Sequence, residues 1–120
     1  MQTPNRKHPD FLNGVPELLI LRQLANHPMH GYELVQSIRA GSGCAFEFGE
    51  GCIYPILHRL ERESCLASQR LIVEGRSRVV YRLTEKGKRQ LAESISAWQR
   101  VVDAVRLVLE GGLRGQTAHA

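Results

Sequence analysis

The apolar positions of the chain fall into four blocks with helical spacing and one with strand spacing. In the first block, Val15, Leu18, Leu19, Leu21 and Leu24 build a broad apolar side behind Asn13-Gly14. Pro16 and Glu17 suit a helix start. The first turn leaves its N–H groups unpaired in any case, and a carboxylate favours the positive end of the dipole. The block stops at Asn26-His27-Pro28. Leu34, Val35 and Ile38 then recur at helical spacing between His30-Gly31-Tyr32 and Gly41-Ser42-Gly43, which predicts a second helix. A glycine-rich connection over 40–49 carries Phe46 and Phe48 either side of Glu47, compatible with a short extended piece.

A third helix is predicted over 50–63. Ile53, Ile56, Leu57 and Leu60 sit at i, i+3, i+4 and i+7 and form a buried stripe. At about 100° per residue, Gly51, Pro55, His58 and Arg62 project from the opposite side, flanked by Tyr54 and Arg59. A proline beyond the first turn removes a hydrogen bond and disfavours helical geometry at the preceding residue. The cap is therefore expected near Cys52, which leaves Pro55 in the first turn.

A hairpin follows. Ala67, Leu71 and Val73 share one face of its first strand, while Val79, Tyr81 and Leu83 share one face of its second, with Arg78 and Arg82 on the other. Glu74-Gly75-Arg76-Ser77 supplies the turn. Two such strands need helices to pack on. Thr84 caps a final helix that has Glu85 in its first turn. Along it Leu91, Ile95, Trp98, Val102, Val105 and Leu109 advance by alternating steps of four and three, a heptad seam. Gly111-Gly112 is expected to end this helix, after roughly 39 Å at 1.5 Å per residue. The organisation predicted is a flexible arm (1–12), a compact body (13–84), a long helix (85–110) and a loose tail (111–120).

Composition narrows the function classes. The chain has 120 residues, 42% hydrophobic and 23% charged, which is the balance of one folded domain and excludes disorder as its whole state. Its longest aliphatic run, Leu18 to Leu21, is far short of the ~20 residues a bilayer requires, so no membrane partner is expected. The opening MQTPNRKHPDF has basic residues with no apolar stretch behind them, and no secretory signal is expected. Cys44, Cys52 and Cys65 are odd in number and lack zinc-ribbon spacing, which points to a reducing cytoplasm without disulfides or a metal site. His27 and His30 are separated by a Pro-containing turn rather than sharing a helix face. With no phosphate loop, triad pattern or acid pair, neither catalytic residues nor a cofactor are expected.

Charge is concentrated. Between Arg59 and Arg89 nine basic residues face four acidic ones, a net +5, while the rest of the chain sums to −1. Such a segment suits a polyanion, although a solvated basic surface would read the same way. The order of elements supplies the distinction: three helices, a hairpin and a long helix make a winged helix-turn-helix. Its third helix fits the major groove, and its wing arginines suit phosphates. The fold class predicted is mainly α with a small β-hairpin (α+β).

The resemblance is specific. Leu18-Leu19-Ile20-Leu21, His30-Gly31-Tyr32-Glu33-Leu34, the run from Glu50 to Glu61 (EGCIYPILHRLE) and Tyr81-Arg82-Leu83-Thr84-Glu85-Lys86-Gly87 resemble the short type of PadR-family transcriptional regulators over roughly residues 12 to 110. The family often has Ser or Thr at the place of Cys52, and small residues or glycine near Ser64-Cys65. The resemblance implies a homodimeric repressor on double-stranded DNA, with the last helix as dimerisation element and a near-palindromic operator. The expected DNA-binding residues are Tyr54, Pro55, His58, Arg59, Arg62, Arg76, Arg78 and Lys86. The expected dimer interface is Leu91, Ile95, Trp98, Val102, Val105 and Leu109.

Bland readings stand beside these. The helix face and the hairpin tip are also what solvated surfaces look like. Trp98 reads first as dimer core. Some small family members instead enclose a Trp-lined cavity there for a small apolar or aromatic ligand. Tyr32 and Tyr81 read as core or scaffold. Cys52, near a helix start, is a candidate redox thiol, but burial or tolerance is the plainer reading of all three cysteines. The alternative function is a winged-helix protein-interaction or ligand-sensing module without operator binding.

Overall fold

A computed structural model describes residues 14–118, with side chains to residue 111; the expected arm (1–12) and the last two residues of the expected tail lie outside them. The elements run α1 (Val15–Leu24), β1 (Met29–His30), α2 (Gly31–Gly41), α3 (Glu50–Arg62), β2 (Leu66–Val73), β3 (Arg76–Leu83) and α4 (Glu85–Ala118). Ile20 and Leu21 of α1, Leu34 of α2 and Ile53, Leu57 and Leu60 of α3 are fully buried against one another. The stripes predicted from 3.6-residue spacing therefore meet in one core. Leu66, Tyr81 and Leu91 close it from the sheet and from α4. Phe46 and Phe48, on the same side of their extended connection, stack with centroids 5.3 Å apart, and Phe48 is buried.

Five local expectations are corrected. Gly49, not a residue near Cys52, caps α3, its carbonyl accepting from Cys52 and Ile53 N–H, so Pro55 lies inside the helix. The bond lost there belongs to the carbonyl of Gly51, and both Gly51 and Pro55 are exposed, so water can take its place. The sheet has three strands in the order β1-β3-β2, all antiparallel, because Met29 and His30 pair with Tyr81 and Val80. Two residues are too few to show alternation. In β2 the core face is carried by Leu66 and Ser68, opposite Leu83 and Tyr81. Leu71 falls on the other face, and Leu71 and Ile72 are exposed, because the hairpin projects past the helices that would cover it. Its turn is only Glu74-Gly75, both at positive φ (52° and 79°), a geometry that matches strand twist in a two-residue loop.

The fifth correction concerns α4, which continues through Gly111-Gly112 to Ala118. A glycine costs about 1 kcal/mol in a helix but keeps its N–H, so the hydrogen-bond ladder survives it. At 34 residues the helix spans about 51 Å. It leaves the body near Ile95, and the molecule measures 67 × 32 × 32 Å.

The start of α4 is locked to the end of α3. Ser64 adopts φ 66°, Ser64 N–H bonds the Glu61 carbonyl and Cys65 N–H the Leu60 carbonyl, a Schellman closure. Thr84 caps α4 as expected, accepting from Gly87 N–H at 3.0 Å while its hydroxyl donates to the Ser64 carbonyl at 2.7 Å. A Cβ on Gly87 would sit 2.1 Å from the Cys65 carbonyl oxygen. Two stability changes are expected in urea melts at fixed protein concentration. Ser64→Gly should stabilise by about 1 kcal/mol, by relieving the left-handed backbone. Gly87→Ala should destabilise by about 1–3 kcal/mol. A neutral Gly87→Ala would mean the helix does not lie this close.

Candidate nucleic-acid interface

α3 presents Gly51, Pro55, His58 and Arg62 to solvent, the face its periodicity predicted. Tyr54, beside them, is half-buried. Its ring lies against Gly31 at the start of α2, where a Cβ would fall 2.5 Å from the ring and hydroxyl. This contact ties the HGY run to the third-helix run: the glycine is required because the tyrosine occupies its side-chain space. The Tyr54 and His58 rings are tilted at 39° with centroids 6.1 Å apart. His30 caps α2, its Nδ1 accepting from Glu33 N–H at 3.3 Å. Tyr32, expected as core or scaffold, is 48% exposed, one residue from this packing point.

The wing stands across from α3. Between them lies a cleft of about 250 Å³ lined by His30, Tyr54, His58, Arg70, Arg78 and Tyr81. Arg70 was not anticipated as a site residue. Its position in β2 is an even step from Leu66, on the sheet face that carries Tyr81, and its guanidinium donates to Ser77 Oγ at 3.1 Å. The register of β2 was the missing signal. Arg76 and Arg82 are exposed, and Arg78 is half-buried. Burial raises the Tyr81 phenol above its usual range, with Glu61 and then Tyr54 adding to the effect, so its hydroxyl stays protonated at neutral pH.

The basic residues divide into committed and free. Arg59 turns away from the outer face of α3 and across to α1: its Nη2 donates to Glu17 Oε1 at 2.5 Å and its Nη1 to Glu63 at 3.2 Å. The Glu17 hydrogen bond, opposed in part by desolvation, leads in holding its guanidinium protonated. Lys86 donates to the Glu63 carbonyl at 2.8 Å, placing its charge at the negative end of the α3 dipole. Arg62, Arg76, Arg78 and Arg82 pair with no carboxylate among the described residues. Like charges left unpaired raise the local positive potential.

The expected seam divides in two. Leu91 is buried in the chain's own core and Ile95 packs against it, so both serve the monomer's fold. Beyond them Trp98 is 39% exposed, Val105 51% and Leu109 67%, and Val101, Leu107 and Val108 are exposed as well. Trp98, Val101, Val102, Val105 and Leu109, with Arg106 and Glu110 beside them, form one open, largely apolar face of α4. No helix among the described residues is long and apolar enough to cross a membrane.

Burial raises the Cys52 thiol, the reverse of what a redox-sensing thiol requires. Cys65 is buried and Cys44 exposed. In the native protein at neutral pH, one thiol of three, Cys44, should react quickly with a chromogenic disulfide reagent. All three should react in denaturant. A fast Cys52, identified by its loss in Cys52→Ser, would contradict this.

Comparison with known proteins accords with the geometry. The profile described as "Transcriptional regulator PadR-like family" matches residues 20–93. A transcriptional regulator of Mycobacterium tuberculosis is 34% identical over 96 residues, covering 80% of this chain and 87% of its own. Among solved structures, a PadR family transcriptional regulator from Eggerthella lenta is 34% identical with a TM-score of 0.73, covering 84% of this chain and 87% of its own. A PadR-like transcriptional regulator from Bacillus cereus is 30% identical at the same TM-score, covering 84% and 97%. With a family profile over more than half its length, on a winged-helix body whose shared motifs each have a packing role, this chain belongs to the PadR-like family of transcriptional regulators.

Proposed function

We propose that the protein is a homodimeric repressor of the cytoplasm that binds a near-palindromic operator in double-stranded DNA. The observation that carries the reading is Arg62 on the exposed outer face of α3, with Arg70 and Arg78 of the wing lining the cleft across from that helix, none of them paired with a carboxylate among the described residues. In this reading α3 enters the major groove. His58 and Arg62 approach base edges, Tyr54 holds a phosphate, and Arg70, Arg76 and Arg78 track the adjoining backbone.

The second copy is inferred from α4. An apolar face that stays open from Trp98 to Leu109 calls for a cover. A self-complementary two-fold pairing along Trp98, Val102, Val105 and Leu109 is the commonest solution. It would set two reading heads toward half-sites about one turn, ~34 Å, apart. A small apolar or aromatic ligand entering beside Trp98 between the paired helices would release the operator.

Two measurements test this reading. Arg62→Ala should weaken binding to the operator, isolated by selection from genomic fragments, by about 1–3 kcal/mol and relax its specificity. Arg76→Ala with Arg78→Ala should instead weaken all duplexes alike and lower the salt dependence. Folded variants that bind as well as the wild type would exclude this face, and no salt-dependent duplex affinity at all would favour the protein-interaction module. Val102→Asp should give a monomer by sedimentation; an intact dimer would place the interface elsewhere.

A further inference from the structure

Arg59 and Glu17 add an ion pair between α3 and α1 to the apolar contacts that these helices share in the core. Glu17 stands in the first turn of α1, where Val15, Glu17 and Leu18 form one wall of a groove of about 270 Å³. The other wall is α4, with Ala97, Trp98 and Val101. The same Glu17 side chain, three-quarters buried, reaches 2.5 Å to Arg59 in the last turn of α3, and Arg59 braces on Glu63 at the cap of that helix. One carboxylate thus borders the Trp98 groove and holds the reading helix. Arg59 is set one residue from His58 on the helix, yet its guanidinium faces α1.

We infer that Arg59 is a positioning residue: through Glu17 it fixes how α3 lies on α1 and couples the α1/α4 groove at Trp98 to the DNA-reading face. This rests on the DNA reading proposed above and adds a regulation to it. The physics is that of linked equilibria. Any change of the groove that moves Glu17 alters the α3 position favoured by Arg59, and DNA that fixes α3 acts back on the groove by the same free energy. The pair is partly exposed, so its contribution is that of a surface ion pair rather than a buried one.

The sign of one substitution separates this role from direct DNA contact. Were Arg59 a phosphate ligand, deleting Glu17 would free it and remove a nearby negative charge, and duplex affinity would rise. For a positioning residue, Glu17→Ala and Glu17→Gln should each lower affinity by about two- to fivefold, as should Arg59→Ala. The double variant Glu17→Ala/Arg59→Ala should fall no further than either single change, since the two act as a unit. The salt slope should be unchanged by Arg59→Ala, whereas loss of a phosphate contact lowers it by about one per subunit.

A second readout tests the groove. Trp98 is the only tryptophan, so its emission should shift when a mixed-sequence duplex binds at low ionic strength, and the shift should be smaller in Glu17→Gln. Circular dichroism and sedimentation of each full-length variant verify that fold and assembly are retained. Higher affinity in Glu17→Gln, additive losses in the double variant, or a reduced salt slope in Arg59→Ala would make Arg59 a DNA contact and overturn the inference. An unchanged Trp98 spectrum on duplex binding overturns the coupling to the groove. A wild-type protein with no duplex affinity overturns the DNA reading first and this role with it, whereas the other adverse outcomes leave that reading standing.

Discussion

Two stretches of backbone, residues 63–65 and 84–87, cross so closely that only glycine fits at position 87. The end of α3, both inner ends of the hairpin and the start of α4 meet there. Three hydrogen bonds hold the crossing, Thr84 N–H to the Cys65 carbonyl, the Thr84 hydroxyl to the Ser64 carbonyl and Lys86 to the Glu63 carbonyl, and Gly87 N–H to Thr84 Oγ1 caps the helix that leaves it. Each satisfies a group that a helix end or turn would otherwise leave unpaired. The angle between wing and reading helix, and the direction in which α4 departs, are therefore set at one point. The conformational strain is small and local, chiefly Ser64 in the left-handed region.

Electrostatics follows from this frame. Arg59 and Arg62 lie in the last turn of α3, where its dipole favours cations, but only Arg59 has carboxylate partners. The wing arginines have none among the described residues, and Arg70 is steadied by a hydroxyl, which directs it without neutralising it. The basic segment is thus differentiated by use. Some charges stabilise the body, and others remain available to a polyanion. A count of charges along the chain cannot make that distinction, because it depends on which side chains meet across forty residues of sequence.

The helices were legible because burial repeats with their period: the stripe of Ile53, Leu57 and Leu60 and the cap at Thr84 are local facts. Pro55 misled because the rule against internal proline concerns an unpaired carbonyl, and here the affected turn is exposed to water. The core face of β2 was misread because Leu71 and Val73 look apolar in sequence, whereas facing is decided by pairing with β3, and the projecting tip leaves apolar residues uncovered. The two-residue strand β1 had no pattern to read. Of the proposed DNA face, Tyr54, His58 and Arg62 followed from helical phase. Arg70 needed the strand register, and the partners of Arg59 and Lys86 needed the tertiary fold.

The close seat of Gly87 and the open apolar stripe beginning at Trp98 lie on one uninterrupted helix, which makes that helix a ruler. Each residue advances it by about 1.5 Å and turns it by about 100°. One residue inserted between the two points would swing the stripe a quarter-turn or more around the rod relative to the body. Seven would return it to within about 20° while lengthening the stem by roughly 10 Å. Length variation in this stem is consequently tolerable in steps that restore the phase, near seven or eleven residues, and each such step redefines the distance at which the head is carried from whatever the stripe adheres to.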